Sequence, residues 1–438
     1  MVRLRLRHLV AAALVVVVLG GCGRAGKPET SPAAAGGALA PKSCGRLEHG
    51  GGGVPAGTIV SDLPMRGASA ERSRQQVEAI RLVLEQRHWM AGSTPIAFRA
   101  CDDSIARTGL WDAAVCRSNA EAYAADPRVL GVIGTYNSGC AAEEIPILNR
   151  AGIVMISPGN TAVCLTEPAP TCQGGQPASL YPTGRRTYAR VVPNDAFQGA
   201  ALADFARRKG VTRPYVLYAA DDPTSTGQAM TFRGAAKALD LKLAGYQAWD
   251  PKARNYRGLF AKVRSARANG VVLAGLIEQN GVQLIRDKVT VGSNQALPMI
   301  AFDGFAQQST IDGGGAAARG MFASVPGTAP RSLSGQGGKL VQALTKRLEG
   351  RPVEQFAPYA GEAAAVLLDA IAKAGPRRAG VVGAVFTIRG GGGILDRYDM
   401  RVSGDPSVGP ITVLRAGASF GRYLEIRSQP RLVRAARG

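Results

Sequence analysis

The feature that most constrains the fold of this chain is a regular alternation of apolar and amphipathic segments between about residues 58 and 305. Apolar runs such as VLGVIG (129–134) and GVVLAG (270–275) are typical of strands that are buried on both faces. Between such runs, SAERSRQQVEAIRLVLEQR (69–87) carries apolar residues at spacings of three and four, which predicts a helix that Ser69 can cap. The alternation therefore predicts parallel sheets covered by helices on both faces.

The number of these units exceeds what one ordinary sheet holds, which predicts two doubly wound, Rossmann-like α/β lobes joined by three crossovers. After Phe305 the alternation loosens, and YDMRVSG (398–404), ITVLRAG (411–417) and RYLEIRS (422–428) are typical of antiparallel finishing strands. We expect a signal peptide, a flexible tether, two discontinuous lobes and a frayed basic tail. The signal peptide is 1–21, and the tether is 22–55. The first lobe comprises 56–191 and 305–397, the second lobe comprises 192–304 and 398–427, and the tail is 428–438.

The N-terminus has the organisation of an export signal. Basic residues are followed by an apolar run from Leu9 to Leu19, which is too short to span a membrane. The sequence Leu19-Gly20-Gly21-Cys22 resembles a bacterial lipobox, in which the cysteine is lipidated and the leader is cut before it. Lipid on Cys22 would anchor the protein at the outer face of the cell membrane. The alternative is an ordinary signal peptide with an incidental cysteine.

Six further cysteines lie between residues 44 and 172. An even number of cysteines in an exported chain predicts up to three disulfides, although the sequence leaves several pairings open. Cys164 and Cys172 bracket the turn-rich segment LTEPAPT, so we expect them to pair. The other expected pairs are Cys101 with Cys116 and Cys44 with Cys140.

The composition argues against an enzyme and against a nucleic-acid partner. The net charge is +21, but the basic residues are scattered and form no stripe with aromatic residues. Of three histidines, only His88 lies in the predicted folded body, and no Gly-x-Ser-x-Gly or phosphate-binding loop is present. We therefore expect no catalytic residue, no metal and no cofactor, and we attribute the positive charge to arginine bias with attraction to anionic lipid.

Two strand-to-helix loops carry the most informative polar residues. TYNSGCAAEE (135–144) follows one predicted strand and PGNTAVC (158–164) follows the next, and ligands of open α/β sheets bind at such loops. Exposed N–H groups at helix starts suit a carboxylate. The candidate ligand-binding residues of these loops are Tyr136, Asn137, Ser138, Asn160 and Thr161. The alternative is that these residues only form loops and cap helices.

Several segments carry a family resemblance. They are VIGTYNSGCAAEEIPILNRAGIVMISPGNT (132–161), SDLPMRGAS (61–69), VRSARANGVVLAGL (263–276) and APYAGEAAAVLLDAIAKAG (357–375). Together they closely resemble type I periplasmic binding proteins of the leucine/isoleucine/valine-binding kind. The resemblance covers about 56–427, and it implies a monomeric solute-binding protein without enzymatic activity.

The resemblance also implies roles for individual residues. Ser138 would hold the carboxylate of the ligand by its hydroxyl and backbone, and Thr161 would bridge the head group. In the second lobe, Thr226 stands where family members often carry a tyrosine. The full set of implied ligand contacts is Ser138, Gly159, Asn160, Thr161, Thr226, Glu278, Gln279 and Asp303, with the acidic residues facing an ammonium group.

The function implied by the resemblance is capture of a small polar, amino-acid-like solute outside the membrane. Hinge closure of the two lobes would enclose the solute, and an ABC permease and ATPase complex would receive it. One alternative is a sensing module that presents its occupied state to a membrane receptor. The other, which the scarcity of histidine disfavours, is an amidase-type enzyme on the same scaffold.

Overall fold

A computed structural model describes residues 42–220, 222–390, 394–395 and 397–438. The predicted leader 1–21, the lipidation candidate Cys22 and the first part of the predicted tether lie outside the described residues. Within the described ranges, no helix combines the length and the apolar character that crossing a membrane requires.

The first lobe begins with strands that alternate with helices. In chain order these are β1 (Gly57–Leu63), α1 (Ala70–Gln86), β2 (Met90–Ala91), β3 (Thr94–Asp102), α2 (Ala113–Ala125), β4 (Val129–Gly134), α3 (Ser138–Arg150), β5 (Val154–Ser157) and β6 (Tyr188–Arg190). The sheet order is β2-β3-β1-β4-β5-β6. All neighbouring strands are parallel except the short edge strand β2, which runs antiparallel to β3.

The second lobe repeats the same construction. Its elements are α4 (Asp195–Arg208), β7 (Pro214–Ala219), α5 (Pro223–Ala238), β8 (Gly245–Trp249), α6 (Arg257–Ser265), β9 (Gly270–Ala274), α7 (Gly281–Val289), β10 (Met299–Ala301), α8 (Gln308–Gly314) and β11 (Phe322–Pro326). The chain then returns to the first lobe with α9 (Gly335–Arg347), α10 (Ala357–Ala374) and α11 (Arg378–Val385). It ends in the second lobe with β12 (Pro410–Ala416), β13 (Phe420–Arg427) and α12 (Pro430–Arg437).

Each sheet is covered on both faces by apolar side chains of helices. In the first lobe, α1, α9, α10 and α11 pack on one face and α2 and α3 on the other. In the second lobe, the order is β13-β12-β11-β10-β9-β7-β8, with α4, α5 and α12 on one face and α6, α7 and α8 on the other. The predicted pair of doubly wound α/β lobes is confirmed, as are the antiparallel finishing strands β12 and β13. The third expected strand, at 398–404, is wrong, because this segment forms only isolated bridges, among them that of Met400 with Pro406.

The predicted lobe boundary at residue 305 is wrong. Strand β11 pairs with β10 and β12, and Phe305, Ala323 and Val325 belong to the core of the second lobe, so the chain crosses back only after β11. Similarly, Tyr398 and Met400 pack in the core of the first lobe, although the sequence had assigned them to the second. The apolar pattern of a strand predicts that it is buried, but it does not specify which of two sheets it joins.

Both ends of the described chain are more ordered than the sequence predicted. The last part of the predicted tether lies along the first lobe, where the N–H of Glu48 donates to the carbonyl of Phe98 at 2.8 Å. The predicted frayed tail contains α12, whose Leu432, Val433 and Ala436 are buried against α4 and α5. The tail is therefore part of the second lobe.

Three disulfides link the six cysteines of the described residues. Cys164 pairs with Cys172, as the sequence suggested, whereas Cys44 pairs with Cys101 and Cys116 with Cys140. The expected pairs Cys101–Cys116 and Cys44–Cys140 are wrong. The reason is that Cys44 forms an antiparallel bridge beside Cys101 on β3, while Cys116 and Cys140 lie on the neighbouring helices α2 and α3.

The C-terminal helix should contribute measurably to stability. Leu432→Ala removes a buried side chain, 2% exposed, so we expect the free energy of unfolding to fall by about 2–4 kcal/mol. Arg434→Ala, on the exposed face of the same helix, is the control and should change it little. Urea denaturation of both variants checks this. Equal effects of the two substitutions would contradict the packing of α12 on the second lobe.

Candidate functional site

The predicted binding loops of the first lobe meet the second lobe in a cleft. The structure brings five of the predicted ligand contacts together in the wall of this cleft: Tyr136, Ser138, Gly159, Thr161 and Asp303. The other lining residues are Trp111, Asn137, Gly139, Asp222, Thr224, Gln228 and Leu276. The cleft lies beyond the carboxyl ends of the parallel strands of both lobes, which is the usual position of a ligand in open α/β sheets.

Ser138 occupies the start of α3 and faces the following loop. Its Oγ accepts hydrogen bonds from the N–H groups of Thr161 at 3.3 Å and Ala162 at 3.2 Å. Ser138 is 7% exposed and Thr161 is 3% exposed. The two N–H groups are thus occupied by the Ser138 oxygen, while the Ser138 hydroxyl proton and the N-terminus of the 13-residue helix α3 remain to face the cleft. Such an arrangement favours an anionic group such as a carboxylate.

The loop after β5 is held rigidly by side chains beneath it. The Ser157 hydroxyl donates to the carbonyl of Thr135 at 2.8 Å and accepts from the N–H groups of Gly159 and Asn160. The Asn160 side chain donates to the carbonyl of Tyr136 at 2.9 Å and accepts from the hydroxyl of Tyr188 at 3.1 Å. Asn160 is fully buried, so its side chain supports the loops and does not line the cleft.

The second lobe supplies a pair of carboxylates, of which Asp303 lines the cleft. The amide of Gln198 donates to Asp195 and to Asp303, at 3.0 Å in both cases. The amide of Gln228 also donates to both carboxylates, at 3.4 and 3.2 Å. Both acids are at least nine-tenths buried. Two like charges so placed are neutralised only by protons or by a nearby cation.

Burial governs the protonation of this acidic pair. Loss of hydration and, to a smaller extent, the charge of the neighbouring Asp303 together raise the pKa of Asp195 to about 8. Burial also raises the pKa of Asp303, against the donated bond of Gln198 and the positive charge of Arg72. In the unliganded cleft at neutral pH, Asp195 therefore holds a proton.

Asp222 is a third acidic residue of the cleft. It caps α5 by accepting from the N–H groups of Thr224 at 3.0 Å and Ser225 at 3.3 Å. The side chain of Gln279 donates to Asp222 at 2.8 Å, so this predicted ligand contact supports Asp222 and does not line the cavity. Thr226 lies on α5 but is absent from the cavity wall as well.

Glu278, another predicted ligand contact, is bonded between the lobes. Its carboxylate accepts from the Ser69 hydroxyl at 2.5 Å and from the Gln307 amide at 3.2 Å. Ser69 therefore donates to the opposite lobe and makes no capping hydrogen bond to α1, contrary to its expected role. Glu278 therefore joins the two lobes and does not line the cleft.

Arg72 of α1 connects the lobes at the floor of the cleft. Its guanidinium, 1% exposed, donates to the hydroxyl of Tyr136 in its own lobe and to the carbonyl of Ala306 at 2.7 Å in the second. Its Nε lies 3.9 Å from the carboxylate of Glu354. The guanidinium also lies over the rings of Tyr136 and Phe356, at 5.0 and 5.2 Å from their centroids. These contacts fix the position of Tyr136 in the cleft.

A larger cavity of about 250 Å³ adjoins the cleft. It shares Trp111, Ser138, Gly139, Asp222 and Thr224 with the cleft. Its remaining walls are formed by α3, by the loop that the Cys164–Cys172 disulfide closes, and by the starts of α4 and α5. They comprise Ala142, Glu143, Ala162, Val163, Cys164, Leu165, Thr171, Gln173, Gln176, Asp195, Pro223, Gly227 and Thr231. We call this cavity the side chamber.

Sequence reasoning missed several residues of this site, among them Trp111, Asp195, Asp222 and Arg72. A signal existed for the two acids, because each stands at a helix start and Asp222 caps the helix that contains Thr226. Both have the appearance of ordinary helix-start acids in the sequence. Trp111 and Arg72 approach the site only through tertiary packing.

The raised pKa of Asp195 should appear in the pH dependence of stability. The unfolded chain loses this proton near pH 3.8 and the folded chain only near pH 8. Between these values the folded state binds more protons, so this group's contribution to the free energy of unfolding falls as pH rises, by up to about 1.4 kcal/mol per pH unit. We expect Asp195→Asn to make the decline shallower between about pH 5 and 8 in urea denaturation without solute.

Asp204→Asn provides the control, because Asp204 lies on the same helix and pairs with Arg208 at the surface, 2.7 Å away. It should leave the slope above pH 5 unchanged. An Asp195→Asn variant with the same slope as the unmodified protein would contradict the assignment of a proton to Asp195.

Similar folds occur in known proteins. The leucine-binding protein LivK from Thermotoga maritima is 20% identical over 85% of this chain and 99% of its own, with a TM-score of 0.73. The branched-chain amino acid binding protein LivJ from Streptococcus pneumoniae, solved with isoleucine, is 14% identical over 84% and 100%, with a TM-score of 0.70. A solute-binding protein from R. palustris, solved with 4-hydroxybenzoate, is 12% identical over 85% and 98%, with a TM-score of 0.71.

These structural similarities support the two-lobe fold. Among curated protein sequences, none matches this chain. Residues 60–389, however, match a family model described as periplasmic binding protein. Since that match spans most of the sequence, the chain belongs to the periplasmic binding protein family and has the type I fold that the sequence resemblance implied.

Proposed function

We propose that this protein is a lipid-anchored, extracytoplasmic solute-binding protein that captures a small polar solute and delivers it to an ABC importer. The solute is an amino acid or a related compound. One observation carries the proposal: the Ser138 hydroxyl, at the N-terminus of α3 in the first lobe, lines the same cavities as the acidic residues Asp195 and Asp303 of the second. A carboxylate and an ammonium group on one small molecule complement these two walls.

Binding proceeds in two steps. The solute carboxylate first binds the hydroxyls of Ser138 and Thr161 and the N-terminus of α3 in the first lobe. The second lobe then rotates about the three crossovers and brings Asp195 and Asp303 against the ammonium group. Closure excludes water, so each polar contact is stronger than at an open surface. No covalent step is required, and the protein acts by binding alone.

Anchoring and delivery complete the proposed function. Lipid on Cys22 would hold the protein at the outer face of the membrane, where the positive net charge of +21 favours anionic headgroups. The closed, loaded monomer is the form that an ABC permease and ATPase complex would recognise. Reopening at the permease would release the solute for transport.

Removing the carboxylate donors should weaken solute binding. We expect Ser138→Ala and Thr161→Ala each to reduce the affinity for the solute that co-purifies with the protein by roughly ten- to a hundredfold, because each removes a donor to a charged group. Native mass spectrometry identifies the solute and calorimetry measures its affinity. Thr226→Ala is the control, since Thr226 is not part of the cavity wall.

Without solute, Thr226→Ala should leave the melting temperature unchanged, whereas Ser138→Ala should lower it, because the N–H groups of Thr161 and Ala162 lose their acceptor. The affinities are therefore measured well below the melting temperature of the least stable variant. Unchanged affinity in both Ser138→Ala and Thr161→Ala would place the pocket elsewhere and contradict the proposed function.

Lipidation at Cys22 is tested separately. Cys22→Ser removes the thiol that would carry the lipid, so we expect the variant to leave the membrane fraction or to retain its leader. Fractionation and the intact mass of the protein measure both outcomes. Partitioning of the variant into membranes to the same extent as the unmodified protein would rule out the lipid anchor.

A further inference from the structure

The charged residues that line the cleft and the side chamber are all acidic. Asp195, Asp222 and Asp303 belong to the second lobe, and Glu143 belongs to α3 of the first. None of the described residues that line the two cavities is a lysine, an arginine or a histidine. Of these acids, Glu143 is paired with Arg117 at 2.7 Å, and Asp303 faces the positive charge of Arg72. Arg190, whose positive charge acts on Asp195, is itself paired with Asp405 at 2.6 Å, and neither Asp195 nor Asp222 has a cation within ion-pair distance among the described residues.

Asp195 supplies an independent indication of a missing partner. It is 1% exposed and lines the side chamber, yet its Oδ2 accepts no hydrogen bond within the described part of the chain. Its other oxygen is occupied by Gln198 and Gln228. Without solute, the proton that Asp195 holds limits the cost of burying this oxygen, and a positively charged group in the chamber would displace the proton and take its place.

The shape of the site directs a solute toward the side chamber. At the other end of the cleft, Tyr136 is held by Arg72 and packs edge-on against Phe356, with ring centroids 5.4 Å apart. A Cβ on Gly159 would lie 2.9 Å from the Tyr136 ring, so the ring fills the space above this loop. The cavity that remains there is only about 30 Å³, compared with about 250 Å³ in the side chamber.

The side chamber exists because small residues line the two helices that face each other across it. Gly139 and Ala142 lie on α3, and Gly227 lies on α5. A Cβ on Gly139 would lie 2.4 Å from the Trp111 ring, so this glycine allows the indole to rest against α3 and form an apolar wall. The chamber thus offers an apolar surface for a chain and acidic groups for its charged end.

We propose that the solute is net cationic: an amino acid whose chain carries a second positively charged group and lies in the side chamber, with Asp195 and Asp222 facing its positive groups. This proposal rests on the proposed function and specifies its substrate class. Attraction to Asp222, and to Asp195 once a cation has displaced its proton, favours a positively charged solute, and the same acids repel a solute with a second negative charge.

Matched solutes test the charge directly. We measure by calorimetry the affinity of the full chain for lysine and norleucine, for arginine and citrulline, and for glutamate. Each of the first two pairs is similar in length and differs in the distal charge. We expect the cationic member of at least one pair to bind tenfold or more tightly than its neutral partner, and glutamate to bind more weakly than either.

A neutral partner that binds as tightly as the cation in both pairs would overturn the proposal, and so would an absence of binding by all five compounds. Neither result would by itself remove the solute-binding function, because that depends on the effect of Ser138→Ala and Thr161→Ala on the co-purifying solute. A co-purifying solute with no positive charge on its chain would likewise overturn only the proposed substrate class.

A charge-removing variant tests the position. Asp222→Asn keeps the cap of α5, because asparagine caps helices as well as aspartate does. We expect it to lower the affinity for the tighter-binding cation at least tenfold and to lower the affinity for its neutral partner by a clearly smaller factor. Asp112→Asn is the matched control, since Asp112 caps α2 through the N–H groups of Ala114 and Val115 and does not line the chamber. Equal losses for the cation and the neutral partner would contradict a role for the Asp222 charge.

Discussion

The guanidinium of Arg72 is the interaction on which the shape of the site depends. It is buried between the lobes, where its donors reach Tyr136 in the first lobe and the carbonyl of Ala306 in the second. A buried guanidinium must be hydrogen-bonded, so both lobes have to supply acceptors at fixed positions. The Ser69–Glu278 hydrogen bond crosses between the lobes close by. Together these contacts set the separation of the lobes and hold Tyr136 where it closes one end of the cleft.

Around this fixed point, the two lobes contribute opposite chemistry. The first lobe supplies N–H groups and hydroxyls on loops that Ser157 and Asn160 hold from below. The second supplies carboxylates whose amide neighbours, Gln198 and Gln228, orient them without neutralising them. Preorganised donors on one wall and acids on the other suit a molecule that carries both charges, and neither wall alone would select it.

Local sequence patterns predicted the local parts of this molecule. The spacing of apolar residues predicted two doubly wound lobes, and the loops at Ser138 and Thr161 were predicted because strand-to-helix loops at one sheet edge must converge. The membership of β11 in the second sheet could not be predicted this way, since its buried apolar run suits either sheet. The same limit applies to α12, whose amphipathic face becomes informative only when α4 and α5 are present.

The parts of the site that the sequence did not predict are those that depend on tertiary contacts. Glu278 and Gln279 are acidic or polar residues near the expected place, but the structure uses them to join the lobes and to support Asp222. Asp195 and Asp222 were missed because each stands at a helix start, where acids are common for local reasons. The disulfide pairings of Cys44 and Cys116 likewise depend on which elements become neighbours, and cysteine spacing does not encode that.

The most direct test of this account is a crystal structure of the protein with its co-purifying solute. The account predicts one solute molecule between the lobes, with its carboxylate within hydrogen-bond distance of the hydroxyls of Ser138 and Thr161, and its amino group against Asp195 or Asp303. A solute bound outside the cleft, or one held in the cleft with its carboxylate against the acidic wall, would contradict it.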